Sequence, residues 1–224
     1  MWYNVRKILQ RGNFMMKRIK LFLLLVLTFI FCCACGSEAN GTVEEENLSD
    51  LVTIVDEYFY EDTIPYTHHV YVIKNNSSKT VNVSANVIAK DASGQVIGAS
   101  TDSADTIASG TEALIYSVFQ NVSGATAFTY TMSVEETKHY EPVTQDLSVE
   151  YSTANGKVIV MCTNNGQEDA GNLVAQGLFF KDGRFVDFDR VFFVEVIKPG
   201  VMVAEELLPE EEFDDIKIFM SGWR

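Results

Sequence analysis

Hydrophobic and polar residues alternate along most of the chain after residue 50, with the two-residue period of strands that bury one face. The stretch TVNVSANVIAK, residues 80–90, alternates valine and alanine with asparagine and serine, and AFTYTMSV and IKIFMS follow the same pattern. Asp and Gly residues in KDASGQ and KDGRF stand where hairpins turn. No stretch of ten residues or more after residue 50 has a convincing helical period, so the pattern predicts an all-β fold.

The strand pattern occurs twice along the chain. Four short segments recur in the same order: VYVIKNN and VIVMCTNN, IAKDASG and FFKDG, IASG and IKPG, YTMS and IFMS. The matches align Asp91 with Asp182 and Gly110 with Gly200, and their offsets lie between 88 and 91 residues. A period near 90 residues is too long for a solenoid unit, so the repeat indicates two domains.

Each copy of the repeat has the size of an immunoglobulin-like sandwich, with about six short strands in under about 100 residues. We therefore predict two tandem immunoglobulin-like β-sandwich domains, at residues 50–136 and 146–224. The segment TKHYEPVTQ, residues 137–145, is the predicted linker between them.

A basic segment and a short apolar run precede the β pattern. Lys17, Arg18 and Lys20 are followed by an uncharged apolar run over residues 21–34. As a helix this run would rise about 21 Å, whereas a bilayer core is about 30 Å thick. The run is typical of a secretory signal, and an uncleaved N-terminal anchor helix is the alternative. We interpret residues 1–14 as a mis-assigned start or a long basic leader.

Cys35 follows a small residue, Ala34, and precedes Gly36. This order resembles the lipobox of bacterial lipoproteins, in which the cysteine is diacylated on sulfur and the signal is cut just before it. The resemblance implies that residues 1–34 are a signal peptide and that Cys35 is the lipidated first residue. It further implies a place on the outer, extracytoplasmic face of a bacterial cell membrane, with the lipid bilayer as a partner through Cys35.

The polar and acidic segment 35–49 that follows has no apolar period and is typical of a flexible tether. The chain has a net charge of −14, and removal of the signal, which holds six basic and no acidic residues, makes it more negative. That charge argues against a nucleic-acid partner. Cys162 would be the one remaining free thiol, and its surroundings, VIVMCTN, predict a buried apolar residue rather than a nucleophile.

The second copy of the repeat carries GLFFKDG and IKPG, and the strand order resembles the FxLYD-type domain of bacterial lipoproteins. That family has an aromatic segment ending in Asp before a Gly hairpin, then a Pro-Gly turn before the last two strands. The first copy, with NVIAKDASG, lacks the aromatic residues. The resemblance covers residues 50–221 and implies a surface-anchored β-sandwich without catalytic residues.

Motifs for catalysis or metal binding do not occur after Cys35: there is no Gly-rich phosphate loop, HExxH, GxSxG or CxxC. His68 and His69 are adjacent in a predicted strand, so their side chains should point to opposite faces. The acidic run 205–215, EELLPEEEFDD, lacks the residue spacing of a calcium loop. We expect it to be a solvated loop with Leu207, Leu208 and Phe213 turned inward, and we expect no metal and no cofactor.

These observations predict a non-catalytic binding or scaffolding module that is anchored in a membrane. The expected contacts for a protein partner at the cell surface are neighbouring aromatic residues in two strands: Tyr58, Phe59, Tyr60, Phe192 and Phe193. The alternative for these residues is that the second face of each strand packs on the other domain. Two other functions stay open, an accessory subunit of a membrane transporter or sensor complex, and a hydrolase with an unrecognised site.

Overall fold

Twelve β-strands make up most of residues 47–62 and 64–224, the part of the chain that this computed structural model describes. The elements are a helical turn α1 (Leu48–Leu51), β1 (Val52–Glu61), β2 (Tyr66–Asn75), β3 (Val81–Lys90), β4 (Val96–Ile107), β5 (Glu112–Gln120), β6 (Ala127–Glu136), a 3₁₀ turn (Thr144–Asp146), β7 (Leu147–Ala154), β8 (Lys157–Asn164), β9 (Val174–Lys181), β10 (Arg184–Phe192), β11 (Met202–Leu207) and β12 (Asp215–Ser221). The prediction of an all-β chain is confirmed. The predicted signal peptide and Cys35 lie outside the described residues.

The strands form four antiparallel three-stranded sheets, two in the first half of the described chain (47–136) and two in the second half (137–224). The first half has the strand orders β1-β2-β5 and β4-β3-β6, and the second half has β7-β8-β11 and β10-β9-β12. Each strand of the second half therefore takes the place of the strand six earlier in the order. The repeat in the sequence corresponds to a repeat in sheet topology.

Each half buries an apolar core between its two sheets. In the first half, the alternating residues of β3 from Val81 to Ala89 face the core and are at most 1% exposed. Tyr71 and Ile73 of β2 close the core from the opposite sheet. In the second half, the side chains that meet in the core come from β8, β9, β11 and β12, and they include Val158, Val160, Cys162, Phe179, Leu207 and Ile216. Two separate cores follow from the two sets of alternating strands.

Tight turns join several of the strands at residues with positive φ. Asp182 (φ 49°) and Gly183 (φ 74°) connect β9 to β10, as the sequence predicts. Asn155 (φ 55°) and Gly156 (φ 75°) connect β7 to β8 in the same way. Positive φ at both central residues is the requirement of the hairpin turn that Asp-Gly and Asn-Gly favour.

The segment predicted as a linker, 137–145, takes part in the second half from Glu141 onwards. The backbones of Glu141 and Arg224 exchange hydrogen bonds of 3.1 and 3.0 Å, and Val143 is 1% exposed within the second core. The C-terminal residues therefore pair with the end of this segment. The division into independently folding domains at 50–136 and 146–224 stays a prediction.

Helical structure is limited to single turns in the described ranges. The side chain of Asn47 accepts a hydrogen bond from the backbone N–H of Ser49 at 3.3 Å and caps α1. Within residues 47–62 and 64–224, no helix has the length and apolar composition needed to cross a membrane.

Candidate functional site

The five aromatic residues predicted as partner contacts have different surroundings in the structure. Phe192 is 58% exposed and Phe59 is 44% exposed, so both present ring surface to solvent. Phe193 is 5% exposed and lies in the core of the second half. Tyr58 and Tyr60 are half-buried against the second half of the molecule. Two of the five residues therefore remain available to a partner.

A third apolar cluster, here called the inter-half cluster, joins the first half to the second. It consists of Val70, Val72, Leu114, Leu178, Phe180 and Phe185, with Tyr58, Tyr60, Tyr116, Phe188 and Phe219 packed around them. It contains the outward-facing residues of β2 and β9, the central strands of two sheets. Because both faces of β2 are covered, its residues Val70–Ile73 form a continuous apolar run rather than an alternating one.

Aromatic pairs cross the contact between the halves at several points. The rings of Tyr116 and Phe188 stack with centroids 3.8 Å apart and an interplanar angle of 20°. Edge-to-face pairs form between Tyr58 and Phe180, at 5.1 Å, and between Tyr60 and Phe185, at 5.0 Å. Such pairs contribute about 0.5–1.5 kcal/mol each beyond their burial. Tyr58 and Tyr60 thus pack on the second half. Packing on the other domain was the stated alternative to partner binding for these residues.

A polar group at the edge of this contact links Lys217 of β12 to β1. The Lys217 ammonium donates to the Asp56 carboxylate at 3.0 Å and to the Tyr58 hydroxyl at 2.7 Å. The hydrogen bond from Lys217 lowers the pKa of Asp56, and the bond to Tyr58 raises the pKa of Lys217. Both charged side chains are more than 40% exposed, so solvent screens the pair and its contribution to stability is small.

His68 lies among these aromatic residues on the face of β2 that meets the second half. Its ring stacks on Tyr60 with centroids 4.5 Å apart, and its Nδ1 lies 2.6 Å from the Tyr116 hydroxyl oxygen. Its buried Nε2 has no hydrogen-bond partner, and the nearest carboxylate oxygen, of Asp62, is 4.0 Å away. Burial lowers the pKa of His68, although Asp62 and Asp187 act in the opposite direction. A low pKa keeps the imidazole neutral at pH 7.

His69 lies on the opposite face of β2, as alternation in a strand requires, and is fully buried in the first half. Its Nε2 lies 3.0 Å from Oε1 of Glu57. A carboxylate accepts hydrogen bonds, so Nε2 carries the proton and the partnerless Nδ1 has only its lone pair. Burial lowers the pKa of His69, and the hydrogen bond with Glu57 opposes that shift. The two histidines belong to different surroundings and bind no common ligand.

The acidic run 205–215 is held against β10 through its backbone. The N–H of Leu208 donates to Asp189 and the N–H of Glu210 donates to Asp187, both at 2.6 Å. The run borders an open cleft of about 480 Å³, with the β7–β8 turn on the other side. The carboxylates of β10 therefore bind backbone donors of the loop, which fixes the loop in place.

One part of the expectation for this run is wrong. Leu207 is fully buried and Phe213 packs edge-to-face on Phe179 with centroids 5.0 Å apart, so both turn inward. Leu208 is instead 53% exposed. Leu208 follows the last residue of β11, where the alternation of the strand directs the side chain away from the core.

The remaining candidates for chemistry in the described residues are metal-ligand groups, the Cys162 thiol and the Ser117 hydroxyl. Within residues 47–62 and 64–224, no group of three or more His, Cys, Asp or Glu side chains could hold a metal ion. Cys162 is fully buried, and burial raises the pKa of its thiol to about 11. The buried hydroxyl of Ser117 donates to Asp102 at 2.6 Å, a carboxylate that also accepts from Ser100. The bond between Ser117 and Asp102 joins β5 to β4.

These observations define a structure of two antiparallel β-sandwiches that are joined by an apolar contact. No family model matches the chain and no curated protein matches it, so the resemblance to the FxLYD-type domain has no support from a family match. Among solved structures, the chain is similar to the crystal structure of red sea bream transglutaminase, with 10% identity and a TM-score of 0.25. The match covers 77% of this chain and 29% of that one, and so low a TM-score carries no argument.

Proposed function

We propose that the protein is a bacterial lipoprotein, held on the outer face of the cell membrane through acylated Cys35, whose two immunoglobulin-like, FxLYD-type sandwiches act as a non-catalytic binding or scaffolding module. The observation that carries this proposal is the short apolar run ending in Ala34, Cys35 and Gly36. The run is too short to span a bilayer, and two acyl chains provide stable attachment.

The use of polar side chains inside the sandwiches supports a scaffolding role. Asn75 and Asn164 are fully buried and donate to backbone carbonyls of their own half. Asp187 accepts from the backbone of the acidic run, and Asp102 accepts from two serine hydroxyls. Groups engaged in such bonds stabilise the fold and are not free to act on a substrate.

The exposed aromatic residues support a binding role. Phe192 and Phe59 keep 58% and 44% of their surface exposed, whereas Tyr58 and Tyr60 are engaged within the molecule. Aromatic side chains are enriched in the contacts that dominate protein interfaces. A protein partner at the cell surface would therefore meet Phe192 or Phe59 first, whether the protein acts alone or as an accessory subunit of a transporter or sensor.

Mass analysis of the membrane-extracted protein tests the anchor. We expect a chain that begins at Cys35 and carries a diacylglyceryl adduct on that residue. The Cys35→Ala variant should lose the adduct and keep its signal, because the cut depends on the modified cysteine. A membrane-bound chain that begins upstream of Lys17 and carries no lipid would overturn the proposal.

Photo-crosslinking in intact cells tests the binding role. A photoreactive amino acid at position 192 should capture a surface protein, and the same group at position 96, another exposed site, serves as the control. Capture of one transporter or sensor subunit at 192 alone would select the accessory-subunit function. Equal labelling at both positions would contradict a specific contact at Phe192.

A further inference from the structure

The connection between β10 and β11 differs from its counterpart in the first half. Residues 108–111 join β4 to β5, whereas residues 193–201 join β10 to β11. Several apolar side chains on and beside the longer connection are exposed, namely Val194 (89%), Val196 (55%), Val201 (44%) and Met202 (58%), and this set is here called the apolar tip. In the first half, the short connection carries no large exposed hydrophobic residue. Because the first half forms the equivalent sheets without such residues, the fold does not require the apolar tip.

In the second half, the apolar tip lies at the end that contains Asn164. The equivalent end of the first half contains Asn75, and β1 begins there. Val52, the first residue of β1, pairs with Asn75 at the end of β2. At the end of β8, the N–H of Asn164 donates to the carbonyl of Val201 at 3.2 Å. Asn75 and Asn164 are equivalent residues of the repeat. The start of the described chain in the first half and the apolar tip in the second half therefore lie at equivalent ends of the two sandwiches.

The two halves also point in the same direction. The side chain of Gln145 donates to the carbonyl of Ser109 at 3.0 Å. Gln145 lies in the turn that leads into β7, beside the Asn164 end, and Ser109 lies in the β4–β5 connection, beside the Asn75 end. The start of the described chain and the apolar tip are therefore at one end of the molecule.

The charge around the apolar tip differs from that of the rest of the chain. Residues 190–202 contain Arg190, Lys198 and one acidic residue, Glu195, within a chain whose net charge is −14. A basic head beside apolar side chains suits the boundary between lipid headgroups and acyl chains, where long basic side chains reach the headgroups.

We infer that the apolar tip inserts into the surface of the lipid bilayer, beside the acyl chains on Cys35, so that the second half rests against the membrane. The inference rests on the proposed lipid anchor. Twelve peptide units separate Cys35 from Asn47 and span at most about 40 Å when fully extended. The end of the molecule that carries the apolar tip therefore stays within reach of the bilayer. Large exposed apolar side chains grouped at one end of a molecule mark an interaction surface, and the proposed lipid anchor at the same end favours the membrane.

Tryptophan fluorescence in vesicles tests the insertion. Val196 and Val96 are both 55% exposed, and Val96 begins β4 at the opposite end of the first half, so Val196→Trp and Val96→Trp form a matched pair. Each full chain, expressed in a bacterium and extracted from its membranes, is reconstituted in phosphatidylcholine–phosphatidylglycerol vesicles that contain spin-labelled lipid. We expect the tryptophan at 196 to be blue-shifted and strongly quenched, and the tryptophan at 96 to add an unshifted, unquenched signal to that of Trp223, which the wild type shares.

Separate readouts distinguish the failure of the insertion from the failure of the anchor. The diacylglyceryl adduct on Cys35, measured by mass analysis of the same preparation, reports the anchor alone. If the adduct is present but position 196 is as weakly quenched as position 96, the insertion is wrong and the anchor stands. If position 196 is quenched although the adduct is absent, the insertion stands and the anchor is wrong. A blue shift at 196 in the absence of vesicles would assign the apolar tip to self-association and overturn the inference.

Discussion

Asn75 and Asn164 make the same hydrogen bonds at equivalent positions of the two halves. Each side-chain amide donates to the carbonyl of the residue four positions on, at 2.8 Å in both halves, and to a buried isoleucine carbonyl, Ile107 at 3.0 Å or Ile197 at 2.8 Å. Each side-chain oxygen accepts from the backbone N–H two residues on. One asparagine in each half therefore ties a strand end to two neighbouring loops.

Replacing the donor of this group should destabilise the protein. In Asn164→Asp the fully buried carboxylate cannot donate and would face the carbonyl oxygens of Glu168 and Ile197, so we expect a loss of about 2 kcal/mol or more in the free energy of unfolding. Urea denaturation measures it. The neighbouring exposed residue supplies the control, because Asn165→Asp should cost less than about 0.5 kcal/mol. Equal losses in the two variants would show that the hydrogen bonds of Asn164 are unimportant.

The inter-half cluster should couple the unfolding of the two halves. Phe185 is 7% exposed and packs on Tyr60 and Phe180. We expect Phe185→Ala to cost about 3 kcal/mol or more and to divide one thermal transition into two, since it removes apolar contact between the halves. Calorimetry measures both effects. Phe192→Ala, which shortens an exposed ring, should leave the single transition unchanged, and two transitions in the wild type would argue against the coupling.

Stability should fall as the pH is lowered below about 6.5, because burial lowers the pKa of His69 from 6.5 in the folded state. At low pH the unfolded chain binds a proton on His69 that the folded chain does not bind, which favours unfolding. Above about pH 7 the imidazole is neutral in both states, so His69 causes no loss of stability there. The slope is up to about 1.4 kcal/mol per pH unit for each such histidine, and the pKa of His68 is lowered in the same direction.

Urea denaturation between pH 7.5 and 5.5 measures this slope. His69→Gln should reduce it, and His139→Gln, at an exposed residue, should leave it as in the wild type. The charged groups that face His69 are Glu57 and Asp102, and both oppose the lowering of its pKa by burial. A slope that His69→Gln does not change would contradict the prediction.

Cys162 should be unreactive in the folded protein. Its thiol is fully buried, and a pKa of about 11 leaves almost no thiolate at pH 7. In a chain with serine at positions 32, 33 and 35, we expect no reaction with an aromatic disulfide reagent until denaturant is added. An added Ser152→Cys, at an exposed residue of β7, should react at once under the same conditions. Rapid modification of native Cys162 would show that the second core opens readily.

Calcium should have little effect on thermal stability, although the acidic run 205–215 is the densest group of carboxylates in the chain. A tight site needs six to eight fixed oxygen ligands, whereas residues 205–215 attract cations as a screened cloud. At millimolar calcium in 0.15 M salt we expect almost no change in Tm. A rise of several degrees that disappears when Glu210, Glu211 and Glu212 become Gln would make calcium part of the function.

The local features of the fold could be predicted from the sequence. The five inward residues of β3, from Val81 to Ala89, alternate strictly and are at most 1% exposed. Asp182 and Gly183 form the expected turn, and Asn155-Gly156 is an equally clear sequence signal for the hairpin between β7 and β8. Such features depend on neighbouring residues only, because strand period and turn geometry are properties of a short segment.

The surroundings of the candidate binding residues were decided by the tertiary structure. Period alone shows that Tyr58 and Tyr60 share a face of β1, but not that Phe180 and Phe185, over 100 residues away in the sequence, cover that face. It also shows that Phe192 and Phe193 face opposite ways without showing which one is exposed. Leu208 was expected inside and is exposed, because the alternation of β11 that buries Leu207 turns Leu208 outward. The sequence by itself determined which residues are apolar and how the strands alternate; which surfaces meet depended on how the two sandwiches pack, because burial is a property of the whole chain.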